Sequence, residues 1–194
     1  NSVYYLRMKL GNVLQDNEKI KQYLDILDEE VMACSSIISN TLSVGKLSEP
    51  SKSAANINEI ISNCIDNMQF PENIHVTTNI DNNAPLIPVD KVQMTQVISN
   101  IVLNAKQAMP EGGDINISSL YKNGQVEIYV SDTGSGISEE NMKKLFEPLF
   151  STKPQGIGLG LPVCKDIIDK HNGNILVESN VGKGTHITIT LPVT

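Results

Sequence analysis

Three polar amides recur every fourth residue in an otherwise apolar stretch: Gln96, Asn100 and Asn104, set among Val92, Val97, Ile101, Leu103 and Ala108. On a helix that spacing places them on one line. Amides on one face of a largely apolar helix need partners. Either the face is solvated, or it looks into a ligand pocket. In a pocket an Asn carbonyl oxygen is a neutral, hard ligand, suited to Mg²⁺ beside triphosphate oxygens that already carry negative charge. By spacing alone the two readings stand level.

A second group is Asp132-Thr133-Gly134-Ser135-Gly136-Ile137, at the end of an alternating segment. A carboxylate followed by two glycines puts an acceptor at a sheet edge and then lets the backbone turn tightly. Asp132 can accept from an adenine amino group, with Gly134 and Gly136 letting a ring lie against the backbone. The same pattern also occurs in ordinary turns. A third group is Gly156-Ile157-Gly158-Leu159-Gly160-Leu161, which runs into a helix. Alternating glycines before a helix N-terminus expose N–H groups and suit an anion. Pro162 falls in the first turn, where proline is tolerated. Lys153, just before this loop, is either a ligand for a terminal phosphate or a solvated surface lysine.

The elements that must position these groups are legible. Asn56 caps a helix from Ile57 to Asn67, and Asp90 caps one running to about Met109. Residues 74–80, 86–89, 114–121, 125–132, 174–180 and 185–193 read as strands. Lys122-Asn123-Gly124 and Val181-Gly182-Lys183-Gly184 are hairpin turns. Residues 139–145 should be helical, as should 159–171. Strands arriving as hairpins argue for an α+β fold, an α/β sandwich whose mixed, mostly antiparallel sheet carries helices on one face. They argue against Rossmann and P-loop folds, and GxxxxGK[ST] is absent.

Ahead of this unit, residues 1–50 read as a helical hairpin. Ile20, Leu24, Leu27, Val31, Cys34 and Ile38 follow a heptad seam. Two copies of the hairpin would bury their stripes in a four-helix bundle; the alternative is packing on the chain's own domain. Residues 48–56, SEPSKSAAN, read as the linker, and 51–194 as the second domain.

The 194 residues carry a formal charge of −7. A broad nucleic-acid surface would need clustered Lys and Arg, which this charge argues against, so a phosphate ligand is expected to be held locally. Cys34, Cys64 and Cys164 have no metal-ligand spacing and read as free thiols of a reducing cytosol. No apolar run reaches the roughly 20 residues that cross a bilayer. The chain begins without Met inside an apparent helix, so membrane attachment would come only from upstream segments.

In order, QVISNIVLNA (96–105), DTGSGI (132–137), LFEPLFSTK (145–153), GIGLGL (156–161) and GKGT (182–185) resemble the N box, first glycine box, F box, second glycine box and closing glycine box of sensor histidine kinases. The ATP-binding fold of that family is shared with DNA gyrase and mismatch-repair ATPases, and the resemblance spans residues 56–194. Phe146, Pro148 and Phe150 with a short lid are similar to the nitrogen-regulation type. The resemblance implies ATP and Mg²⁺ as ligands. Asn104 would ligate Mg²⁺, Asn100 would lie by the phosphates, and Asp132 would read adenine with Thr185 in support. Gly134 and Gly136 would line the adenine site, Gly156, Gly158 and Gly160 would form the hinge and phosphate loop, and Phe146 and Phe150 would anchor the lid.

It further implies a homodimer through the hairpin and a response-regulator receiver domain as partner. The phosphoacceptor His of the family would fall just before Asn1, so these residues alone are expected not to phosphorylate themselves. His75, His171 and His186 do not fit that role and read as structural. Two rivals stand beside this reading. A gyrase-like ATPase needs a Glu in the N-box helix, which is lacking, and a non-catalytic nucleotide-binding dimerisation module needs no His. A Ser/Thr kinase of the anti-sigma type would share the pocket but not the hairpin.

Overall fold

The computed structural model describes residues 49–153 and 156–194, with a few residues between 17 and 27 that are helical from Lys19 onward. The rest of the expected hairpin, Cys34 included, lies outside the described residues.

Helix α1 (Ile57–Asp66) starts where Asn56 Oδ1 accepts the Asn58 N–H at 2.9 Å. It buries Ile57, Ile60, Ile61 and Cys64, one stripe at helical spacing. Helix α2 (Lys91–Gln107) is capped by Asp90, whose Oδ1 accepts from Val92 and Gln93 at 2.9 and 3.1 Å. The other oxygen of that carboxylate accepts from the Ser51 N–H at 2.9 Å, so one side chain caps the helix and pins the incoming chain. Met94, Val97, Ile98, Ile101, Val102 and Ala105 face inward, leaving the amide line on another side.

Five strands form the main sheet: β2 (Ile74–Ile80), β4 (Gly113–Lys122), β5 (Gln125–Asp132), β6 (Asn174–Asn180) and β7 (Gly184–Pro192). Their order is β2-β4-β5-β7-β6, with β2 and β4 parallel and every other pair antiparallel. Asn123 and Gly124 join β4 to β5 with φ of 55° and 76°. Two consecutive positive φ values match the twist of a two-residue hairpin. Alternate residues of the strands, among them Ile115, Ile117, Val126, Ile128, Val130, Ile187 and Ile189, are buried with those of α1, α2 and α4 (Gly160–Lys170) in one core. Apart from Met94, its largest fully buried side chains are all Ile. Each such burial contributes about 1.5–3 kcal/mol.

The stretch read as a linker contains a strand. β1 (Ser53–Ala55) pairs antiparallel with β3 (Ile87–Val89), a separate two-stranded ribbon with Ala55 buried. Backbone pairing alone defines it, since Ser-Ala-Ala carries no alternation. The helix expected at 139–145 is also shorter: α3 spans only Glu139–Met142. After it the chain tightens into successive i→i−3 bonds, Lys144 N–H to Asn141 O and Glu147 N–H to Lys144 O, before Pro148.

Candidate functional site

β5 places Val126, Ile128, Val130 and therefore Asp132 on the side of the sheet that faces the helices. Asp132 closes the strand, paired with Ile115 on β4 and Thr185 on β7. Its carboxyl is half-buried, and that desolvation pushes its pKa up. The Gly134 N–H, 2.8 Å from Oδ1, the Thr185 backbone and the Lys153 charge work against the rise. An acid held at the end of a strand under a helical layer is costly to keep charged, and Gly134, Thr185 and Lys153 offset part of that cost.

The next residues are wedged against the end of α2. Ser135 N–H donates to Ala108 O at 3.0 Å, and a Cβ on Gly134 would lie 2.7 Å from both Ala108 Cβ and Ala108 O. Gly136 lies in the same loop against Asn180, and the Gly182 N–H returns to Ser135 O at 2.8 Å. Gly184 is the tightest point. At φ 89° its missing Cβ would fall 1.9 Å from Asp132 O. The closing glycine is thus what lets β7 lie against the aspartate that ends β5.

Ser179 orients Thr185. Its Oγ donates to Gly184 O at 2.7 Å and accepts from Ile137 N–H at 2.9 Å. With its one proton spent, the 3.1 Å contact to Thr185 Oγ1 must have Thr185 as donor, leaving the threonine oxygen free to accept. Nothing in the sequence pointed to Ser179, which acts across a hairpin.

On α2, Asn100 and Asn104 are half-buried, and they face protein groups rather than open solvent. Asn100 Nδ2 donates to Gly160 O at 3.4 Å, where the glycine loop becomes α4. Leu159, at the cap position of α4, makes no side-chain cap bond to the first N–H groups of that helix. Lys153 is no solvated surface lysine. Its Nζ donates to Asn104 Oδ1 at 3.2 Å, to Asn104 O at 3.4 Å and to Gln107 Oε1 at 2.8 Å. Burial pulls its ammonium pKa down to about 8, with Asp132 opposing. Gln107 was not singled out from sequence, although it stands only three residues after Asn104 on the same helix.

The F-box residues form the flank. Phe146 packs on the core beside Met142 and Leu145, and the Lys144 ammonium stands 5.9 Å from the Phe150 ring centroid. The Leu149 N–H donates to Gly158 O at 3.0 Å and the Gly156 N–H to Lys153 O at 3.1 Å, closing the glycine loop on this segment. The structure therefore brings Asn100, Asn104, Asp132, Lys153, Gly134, Gly160 and Thr185 around the ends of α2, β5 and α4, with Phe146 and Phe150 as support.

Among the described residues no three His, Cys, Asp or Glu side chains gather as a metal cage, and no helix is long and apolar enough to cross a membrane. A groove lined by Asn58, Glu59, Ser62, Asn63, Ile80 and Asn82 lies along α1, away from these groups. Cys64 and Cys164 are buried free thiols, as the sequence led one to expect. His171 is buried and His186 stacks on Tyr129, both in structural settings.

Residues 89–194 match the family described as histidine kinase-, DNA gyrase B-, and HSP90-like ATPase. Sporulation kinase C of Bacillus subtilis is 33% identical over 89% of this chain and 41% of its own length. Sensor histidine kinase ZraS of Escherichia coli is 31% identical over 89% of this chain and 38% of its own length. The chain thus spans well under half of these curated relatives. Among solved structures, the catalytic domain of histidine kinase ThkA superposes with TM-score 0.64 at 34% identity, covering 74% of this chain and 97% of that one. ThkA in complex with response regulator protein TrrA gives TM-score 0.70 at 30% identity, over 99% of this chain and 57% of that one.

Proposed function

Since the chain belongs to the histidine kinase-, DNA gyrase B-, and HSP90-like ATPases and carries the ATP-binding catalytic domain of a sensor histidine kinase, we propose that residues 51–194 bind Mg²⁺-ATP between α2, the 132–136 loop and the glycine loop. The observation that carries this reading is the convergence of Asp132, Lys153 and Asn104, a half-buried acid, ammonium and amide at one point.

The donor set fits the ligands. Asn104 Oδ1 already accepts from a cationic group, so it is aimed and polarised as a cation ligand requires. The start of α4, where Leu159 makes no side-chain cap bond, and the glycine loop would offer N–H groups to phosphate oxygens. Bound Mg²⁺ would supply charge neutralisation at the phosphates. Asn104 would ligate it, Asn100 would sit beside the phosphates, and Lys153 would reach the terminal one. Gly156, Gly158 and Gly160 would form the phosphate loop, with Phe146 and Phe150 anchoring the lid. Asp132 would accept the adenine amino hydrogen, with Thr185 in support and Gly134 and Gly136 along the ring.

In the whole protein the γ-phosphoryl group would pass to a histidine on a helical hairpin to which residues 1–50 contribute, and then to a receiver-domain aspartate. The hairpin would also make the homodimer. ThkA, crystallised with its response regulator, supports that partner class. Residues on this chain contribute positioning and electrostatics, the main demands of phosphoryl transfer. The domain would work in the cytoplasm, even if the parent protein is anchored in a membrane. An ATP-hydrolysing clamp is disfavoured, because α2 carries no Asp or Glu along its length to activate water.

Calorimetric titration with ADP or a non-hydrolysable ATP analogue, with and without Mg²⁺, tests the reading on wild type and Asp132→Asn. Saturable binding that weakens without Mg²⁺ and largely vanishes in the variant supports it. Absence of binding in every condition overturns it.

A further inference from the structure

All three contacts of the Lys153 ammonium fall on one turn of α2: Asn104 Oδ1 at 3.2 Å, Asn104 O at 3.4 Å and Gln107 Oε1 at 2.8 Å. The shortest is to Gln107. Leu149, Phe150 and Lys153 have their own N–H groups bonded, to Gly158 O, Glu147 O and Ser151 Oγ. The 149–153 segment is thereby an ordered strap whose end is tied to α2 by one side chain.

This arrangement competes with a divalent cation on Asn104 Oδ1. A Mg²⁺ ion sits about 2.1 Å from its oxygen ligands. An ammonium bonded to the same oxygen would face it at close range as a like charge. Their repulsion favours the departure of one of the two. Resting on the nucleotide reading above, we propose that Lys153 and the divalent cation exchange on Asn104 Oδ1, and that Gln107 is the positioning residue that holds Lys153 in the latched arrangement.

Gln107 suits the part. It is exposed, so it takes no share of the core, and its neutral amide accepts from the ammonium without adding a charge that would lock it. The latch lowers apparent cation affinity by the fraction of molecules in which Asn104 is taken. Loosening it at Gln107 should therefore help the cation in. Lys153 cannot report this alone, because it is also placed toward the phosphates.

The test uses wild type, Gln107→Leu and Lys153→Met, each confirmed to unfold at the same temperature. Amide hydrogen exchange of residues 149–153, measured without nucleotide, should rise in both variants. The half-saturating Mg²⁺ concentration at fixed ADP should fall about three- to tenfold in Gln107→Leu, the scale expected for losing one partly solvated hydrogen bond to a charge. Unchanged exchange in both variants, or an unchanged or higher half-saturating Mg²⁺ in Gln107→Leu, overturns the latch. A wild type that binds no ADP overturns the nucleotide reading and the cation exchange together; the hydrogen-exchange arm then still decides whether Lys153 straps this segment to α2.

Discussion

His171 Nε2 accepts the Asp90 backbone N–H at 3.0 Å, so the first residue after α4 is bonded to the last residue before α2. The other ring nitrogen lies 2.8 Å from Ile167 O, an acceptor only, which fixes the proton on Nδ1 and the ring as neutral. The two helices that carry the glycine loop and the amide line are thus held in register by a buried histidine.

That histidine makes stability depend on pH. Its folded pKa is lowered, mainly by desolvation, with Lys52 in the same direction and Ile167 and Asp90 opposing. A group with a depressed folded pKa binds protons more readily when unfolded. For histidine its contribution is therefore full above the unfolded value of about 6.5 and falls as pH drops from there through the folded value. Thermal unfolding from pH 8 to pH 5 should show that decline in wild type. In His171→Leu it should be missing, and the variant should be about 1–3 kcal/mol less stable at neutral pH, because the Asp90 N–H loses its acceptor.

Gly184 and Gly124 both have positive φ, at 89° and 76°, but only Gly184 has a neighbour in the way. Gly124→Ala should cost about 1 kcal/mol, the penalty of the conformation alone. Gly184→Ala would push a methyl to within 1.9 Å of Asp132 O and should cost several times that, roughly 3 kcal/mol or more. Denaturant unfolding of the two variants measures the contrast. A similar small loss at both sites would mean that β7 can move away from β5.

Cys164 is fully buried and its thiol pKa is pushed up to about 12 by that burial. Reaction needs the thiolate and access, and Cys164 has neither. Cys64, buried beside Ser99 Oγ at 3.1 Å, is also shifted upward by desolvation. Neither should react with an aromatic disulfide reagent until the domain opens. Labelling followed by peptide mass analysis should show both cysteines modified at the rate of unfolding, and fast native labelling at Cys164 would contradict the packing of α4 on α2.

Much of this was legible because side-chain period and turn chemistry agree with the fold. Asn123-Gly124 announces its hairpin, and Asp90 announces the start of α2. β5 ends at Asp132, the residue that the alternation marked. β1 was not legible, since Ser53-Ala54-Ala55 is a strand only by its ladder to β3. The end of α3 was not legible either, because tight i→i−3 turns and not a breaker stop it after Met142. Gln107 and Ser179 were invisible for a different reason. Each earns its place through a partner brought close only by the tertiary fold, Lys153 for one and Ile137 for the other.

Ser179 supplies a last prediction about the site. Its hydroxyl joins Ile137 N–H, Gly184 O and Thr185 Oγ1, and so sets which way the Thr185 proton points. Ser179→Ala removes all three contacts at once. The half-buried Ile137 N–H and the Gly184 carbonyl then lose a partner, a loss of about 1–2 kcal/mol in stability. Thr185, freed from donating to Ser179, can turn its proton toward the Asp132 side, where the proposed adenine amino group would need an acceptor. ADP affinity should fall about three- to tenfold, as for one misaligned hydrogen bond. Ser179→Thr, which keeps the hydroxyl, should restore most of it. Calorimetry on both variants separates the orienting hydroxyl from simple packing: if Ser179→Ala binds ADP as wild type does, Ser179 does not orient Thr185 for the ligand.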